Sequence, residues 1–263
     1  MPSVHQRASS RITRALHVII SMPTRSASLV SSPRSADGSF LEHLLFCRDY
    51  AARHYPAAQG SPRVMLLHSI MGVGTNCFPM SLDRLPTLAS LLSPTELTQI
   101  QAFPSVLRLL VHGPLLKELC GCSEAKLQTL RRLRFHRLLD NEPLELSAPQ
   151  FWEHLNYQLI HSIDFLPPAA WKRTSNEYFF AIFTQLYDVL SRTGNLAAAV
   201  EWDEAWMQPT TEGARPDTWR HWFIDLVPSK AILAMASKTI ANYSADVGHS
   251  LEYSLEFEGG AKL

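Results

Sequence analysis

No apolar run in this chain approaches the ~20 residues that a membrane-crossing helix needs, which excludes a helical span. Cysteine is equally sparse. Only Cys120 and Cys122 stand close together, a disulfide framework would be denser, and zinc sites usually pair C-x-x-C units. Cys47, Cys77, Cys120 and Cys122 therefore read as free thiols. Adding His112 and His136 to Cys120 and Cys122 gives a ligand set of atypical spacing, and the eleven histidines contain no H-x-x-x-H pair. No metal or other cofactor is expected. No G-x-S-x-G pentapeptide sets a serine on a strained strand-to-helix turn, and Gly72-Val73-Gly74-Thr75-Asn76 lacks the lysine and spacing of a phosphate-binding loop. Glu201, Asp203 and Glu204 cluster beside Trp202 and Trp206, but carboxylates on an amphipathic helix usually form its solvated side. With no catalytic signature, the expectation is a non-enzyme with no small-molecule substrate.

Acid is nearly missing from residues 1–37, where Arg7, Arg11, Arg14, Arg25 and Arg34 face only Asp37 among many serines. The segment RITRALHVIISM could lie on a membrane surface as an amphipathic helix. Such a composition marks an organelle transit peptide, most often mitochondrial, with a disordered basic tail or a start at Met22 as alternatives. The expected location is the mitochondrial matrix or a matrix-side complex, the alternative the cytoplasm. The 24 basic and 24 acidic residues of the whole chain balance, so residues 38–263 carry a small acidic excess. That is poor ground for generic phosphate-backbone binding, which needs clustered positive charge. It leaves room for local patches.

What the chain has is apolar residues at spacings of three and four, punctuated by 17 prolines. The pattern predicts helices over Phe40–Tyr55 and Pro62–Met71 as one hairpin, then Leu82–Leu92, Pro94–Phe103 and Pro104–His112. Leu115–Asp140 reads as two helices around Gly121 with Ser123 as a cap. There Leu116, Cys120, Cys122, Leu127 and Leu130 would be buried, and Lys126, Arg131, Arg132, Arg134 and Arg137 would form a basic face. A solvated face, an RNA contact and a DNA-reading helix-turn-helix all fit that stripe. Lys117 stands where a helix-turn-helix needs a small residue. Further helices are expected over Pro149–Ile163, Thr218–Leu226 and Ser229–Tyr243.

The stretch Phe180–Asp217 organises the reading. Phe183, Leu186, Tyr187 and Leu190 share one face of a helix; Arg192 lies in its last turn, Gly194 stops it, and Leu196, Ala199, Val200 and Trp202 open a second helix. Together with Gly213, Pro216 and Asp217, which close the unit as G-x-x-P-D, this window resembles a pentatricopeptide repeat. It shares its aromatic, its leucine and its small Ala199 with the tetratricopeptide repeat. Asp203 and the long loop Gln208–Glu212 depart from the pattern. The resemblance implies an α-solenoid, with Thr184 and Asp217 as the pair that would face an RNA base.

At the C-terminus Leu251, Tyr253, Leu255 and Phe257 alternate with Glu252, Ser254 and Glu256, the period of a strand with one wet face. Such a strand either augments a partner's sheet or folds back on an internal strand. The expected fold is all-α: a tail over 1–37, stacked helical hairpins over 38–245, and a short C-terminal β-strand in 246–263. The expected role is a non-enzymatic organellar helical-repeat protein that binds RNA or sits in an RNA-containing assembly such as a mitochondrial ribosome. A protein-interaction scaffold of a mitochondrial membrane or matrix complex is the alternative, and other protein subunits are the partners in either case.

Overall fold

A computed structural model of the chain describes residues 40–74, 76–166, 173–200 and 227–259. They are mostly helical with one small sheet, and none of their helices is long and apolar enough to cross a membrane. Helix α1 (Phe40–His54) buries His43, Leu44, Cys47, Tyr50 and Ala51, which share one face at spacings of three and four. Gly60 then passes so close to the Tyr55 ring that a Cβ would stand 2.4 Å from it. Helix α2 (Pro62–Leu67) starts at Ser61, whose hydroxyl accepts from the Arg63 amide. It is shorter than its apolar pattern predicts. His68–Met71 form turns, fully buried, up to Gly72 at φ 140°.

After a short 3-10 turn (Leu82–Arg84) and α3 (Leu85–Ala89) comes α4 (Pro94–His112), opened by the Ser93/Glu96 capping box. The two helices predicted on either side of Pro104 are one. Proline removes a donor from the middle of α4, yet the Phe103 carbonyl beside it takes a hydrogen bond from Gln158 at 3.1 Å, and the helix is buried all round from Gln99 to Leu110. Tertiary packing outweighs the local cost.

Helices α5 (Pro114–Gly121) and α6 (Glu124–Gln128) follow, the second capped by Ser123. The predicted helix then gives way to β1 (Leu130–His136), which turns through Asn141, at φ 58°, into β2 (Pro143–Ser147). Leu130, Leu133 and Phe135 are buried while Arg132 and Arg134 face outward. In LRRLRFH a sheet with one wet face uses the apolar positions better than a helix does.

Helix α7 (Ala148–Ile163) begins with the Ser147/Gln150 capping box, and α8 (Arg173–Arg192) and α9 (Ser229–Asp246) are the remaining helices of the described residues. The last described strand is β3 (Ser254–Phe257), antiparallel to β1 in a sheet of order β2-β1-β3. Leu133 lies opposite both Leu146 and Leu255. Of the two fates open to the C-terminal strand, the chain takes the fold-back.

Gly194, at φ 71°, ends α8 as predicted. The Asn195 amide bonds the Leu190 carbonyl at 2.9 Å and the Gly194 amide bonds that of Ser191 at 3.2 Å, which is a Schellman cap. The second helix expected from Leu196 does not start there: residues 195–200 run as irregular chain. Their amides are bound elsewhere, those of Ala197 and Ala198 to Asn156 Oδ1 and that of Ala199 to the His54 carbonyl. Trp202, Gly213, Pro216, Asp217 and the predicted helix Thr218–Leu226 lie outside the described residues. Helices α4 and α7 are the hubs. Helix α7 touches α1, α4, α8, β1 and β2, and α4 touches α2, α5, α8 and α9.

Candidate metal centre

Three histidines from three places in the chain meet in this core. His43 comes from α1, His68 follows α2 directly, and His161 lies in the last turn of α7. All three are buried, at 6%, 0% and 4% exposure. Their rings stand edge to face, with centroids 5.0–5.1 Å apart, and each offers a ligating nitrogen within 4.8 Å of the others. Phe103 packs on His68 and His161, and the stacked pair Phe165 and Phe179 closes the other side of His161.

The groups around them set the tautomers. Asp164, the residue after α7, holds His43 Nδ1 at 2.6 Å; a carboxylate only accepts, so that nitrogen carries hydrogen. The Met65 carbonyl holds His68 Nδ1 at 2.6 Å. Carbonyls in the last turn of a helix have no intrahelical partner, and six-residue α2 thus leaves Met65 free to orient His68. Helix α2 is itself anchored, because the Ser61 amide donates to Tyr157 and the Ser61 hydroxyl to Glu96. With both Nδ1–H groups committed, the Nε2 lone pairs of His43 and His68 face each other at 3.2 Å. The Nδ1 of His161 is buried with no hydrogen-bond partner among the described residues.

Two lone pairs at that distance repel unless a cation lies between them. A proton serves, which would make His43 an imidazolium on Asp164. A metal ion serves equally: nitrogens 2.0–2.1 Å from a tetrahedral ion lie about 3.3 Å apart. Burial and neighbouring His43 hold His68 at a pKa of about 3, against a smaller opposing pull from the Met65 hydrogen bond. Burial, with His68 and His43 beside it, drives His161 well below the ordinary imidazole value. Both rings are therefore neutral, the form that ligates metal. The carboxylate on His43 Nδ1 is the partner that metal-bound imidazoles commonly have.

His154 shows what a purely structural buried histidine looks like here. Its Nδ1 donates to Gln99 Oε1 at 2.7 Å and its Nε2 accepts from Gln158 at 3.1 Å, leaving neither nitrogen over. The trio differs: His161 Nδ1 has no partner among the described residues, and the Nε2 atoms of His43 and His68 have only each other.

The residues singled out from the sequence lie elsewhere. Thr184 bonds its own helix, at the Phe180 and Ala181 carbonyls. Lys126 sits over the Phe257 ring at 4.8 Å. Arg132 and Arg134 alternate with Glu145 and Glu256 across the three strands at 2.7–3.3 Å, Arg131 reaches Glu258 at 3.7 Å, and Arg137 pairs with Asp140 at 2.6 Å. Arg132 and Arg134 thus form a ladder of ion pairs across the sheet, while Arg131 and Arg137 are paired beside it. Leu251, Tyr253, Leu255 and Phe257 pack against the chain's own core. Of the rejected zinc set, Cys120 donates to Gln185 and His112 bonds Ser237. The one sequence signal of the trio is the pair His43 and Cys47, four apart on α1. His68 and His161 join them only through the fold.

No family model, no curated protein and no solved structure matches this chain. Fold and site define its class: a mostly helical protein with a buried three-histidine cluster.

Proposed function

We propose that this chain is a helical metalloprotein that holds one transition-metal ion between His43, His68 and His161. The observation that carries the reading is the 3.2 Å approach of two Nε2 atoms whose partner nitrogens are already hydrogen-bonded to acceptors. Imidazole donors in a tetrahedral arrangement suit zinc first among the common ions. The ion's role is architectural. It ties α1, the turn after α2 and the end of α7, segments up to 118 residues apart, at a single point.

Elemental analysis of chain purified without chelator tests this, together with the melting temperature before and after zinc is added. About one zinc per chain and a raised Tm are expected, since a ligand that binds only the folded state stabilises it. His68→Ala and His161→Ala should abolish both effects while His154→Gln keeps them. Wild-type zinc no higher than that of His68→Ala overturns the reading and leaves a proton between the rings.

A second reading, a protein-interaction subunit of an organellar assembly, is favoured by an open, mostly apolar groove of about 530 Å³. Leu110, Val111, Leu116, Ile182, Leu233 and Ala234 line it between α4, α5, α8 and α9. In its RNA-binding form this reading must first free the arginines from their carboxylates. Nucleic acid that co-purifies and is shed steeply with salt would support that form.

A further inference from the structure

Cys47 lies one helical turn after His43 on α1, so both side chains lie on the same buried face of the helix. Its thiol is completely buried, and its Sγ stands 3.8 Å from each ring nitrogen of His43. Around a tetrahedral ion, bonds of 2.0–2.1 Å to nitrogen and about 2.3 Å to sulfur put N and S about 3.6 Å apart. The separation from Nε2, the nitrogen left over by Asp164, is about 0.2 Å longer than that edge, and Sγ stands equally far from Nδ1. We propose that Cys47 Sγ is the fourth ligand of the centre, closing a three-histidine, one-cysteine shell and leaving no position for water or substrate. The inference rests on the metal reading above and deepens it, because a full set of protein ligands defines a structural site whereas a catalytic one keeps a position open.

The three histidines already converge, and His161 brings a buried nitrogen with no hydrogen-bond partner among the described residues; Cys47 Sγ does not yet lie within 4.8 Å of all three, so it must move toward the trio as the ion binds. In the metal-free protein Cys47 is a free, buried thiol. Binding forms a metal–sulfur bond, breaks the S–H bond and releases that proton to solvent; no electron changes hands. The thiolate and the Asp164 carboxylate then offset the charge of a divalent ion in an otherwise apolar surrounding.

Cobalt(II) titrated into the full metal-free chain reads the ligand set by absorption. Tetrahedral cobalt gives intense visible bands, and a cobalt–thiolate bond adds a near-ultraviolet charge-transfer band. Wild type is expected to show both, to release one proton per cobalt, and to keep its spectrum unchanged when azide is added. Cys47→Ser is expected to keep the visible bands, lose the charge-transfer band, bind at least about tenfold more weakly, and respond to azide at the vacated position. Cys47→Ala, with folding checked by circular dichroism, is the second variant should serine prove unsuitable. Cobalt bound by wild type without the charge-transfer band, and with an azide response, overturns Cys47 as a ligand and leaves a three-histidine site. No cobalt bound by wild type removes the metal reading itself.

Discussion

Asn156 illustrates how much a single buried side chain decides. Its amide nitrogen donates to the Trp152 and Asn195 carbonyls at 2.8 and 2.9 Å, and its oxygen accepts from the Ala197 and Ala198 amides at 2.9 and 3.0 Å. All four hydrogen-bonding positions are filled. Asn156→Ala leaves two amides and two carbonyls to find new partners, and a loss of about 2–4 kcal/mol in urea unfolding is expected. A loss below about 0.5 kcal/mol would mean that segment 195–200 is held by Tyr50 and His54 alone. Asn156 lies at an inward position of an amphipathic helix, where its pattern predicts core. Nothing in the sequence says which distant amides it binds. The histidines repeat the lesson: His154, His161 and His68 look alike in the sequence, and only their surroundings separate a satisfied ring from one with a nitrogen to spare.

At the scale of elements, periodicity was legible wherever one face of the element is buried. Helices α1, α7 and α9 lie close to where their apolar spacing puts them, and Gly194 ends α8. The failures have physical causes. Residues 130–136 were assigned to a helix because Leu130, Leu133 and the arginines also suit helical spacing; β1 forms because β2 and β3 are there to pair with it. The arginines that suggested a nucleic-acid face alternate with glutamates contributed by those same neighbours. Removing residues 251–263 tests the fold-back directly. It strips Leu251, Tyr253, Leu255 and Phe257 from the core, and a destabilisation of roughly 3–5 kcal/mol is expected. An unchanged unfolding midpoint would mean that β3 contributes nothing to the chain's own stability and is free for a partner.

Across the whole molecule, buried neutral histidines couple stability to pH. His68 and His154 each sit near a pKa of about 3 when folded, mainly through burial, against about 6.5 in the unfolded chain. His161 is shifted in the same direction. Between those two values the unfolded state binds more protons, so stability rises with pH; it is fully present above about pH 6.5 and is lost as pH falls toward 3. Each group contributes about 1.4 kcal/mol per pH unit well inside that window. Urea midpoints should fall from about pH 7 to about pH 5, and less steeply in His154→Gln. A flat profile would show that these rings are protonated in the folded state. Bound metal at the trio would steepen the loss, since protons and the ion compete for the same nitrogens.

The sequence by itself determined the helices, their caps and the inward faces, because hydrophobic periodicity and capping act over a few residues. It also carried the alternating C-terminal strand. Tertiary structure alone decided that strand's partner, the course of the chain after Gly194, the neutralisation of the arginines and the meeting of His43, His68 and His161. Each of those depends on groups far apart in the chain approaching within about 3–5 Å, a proximity that local spacing does not encode.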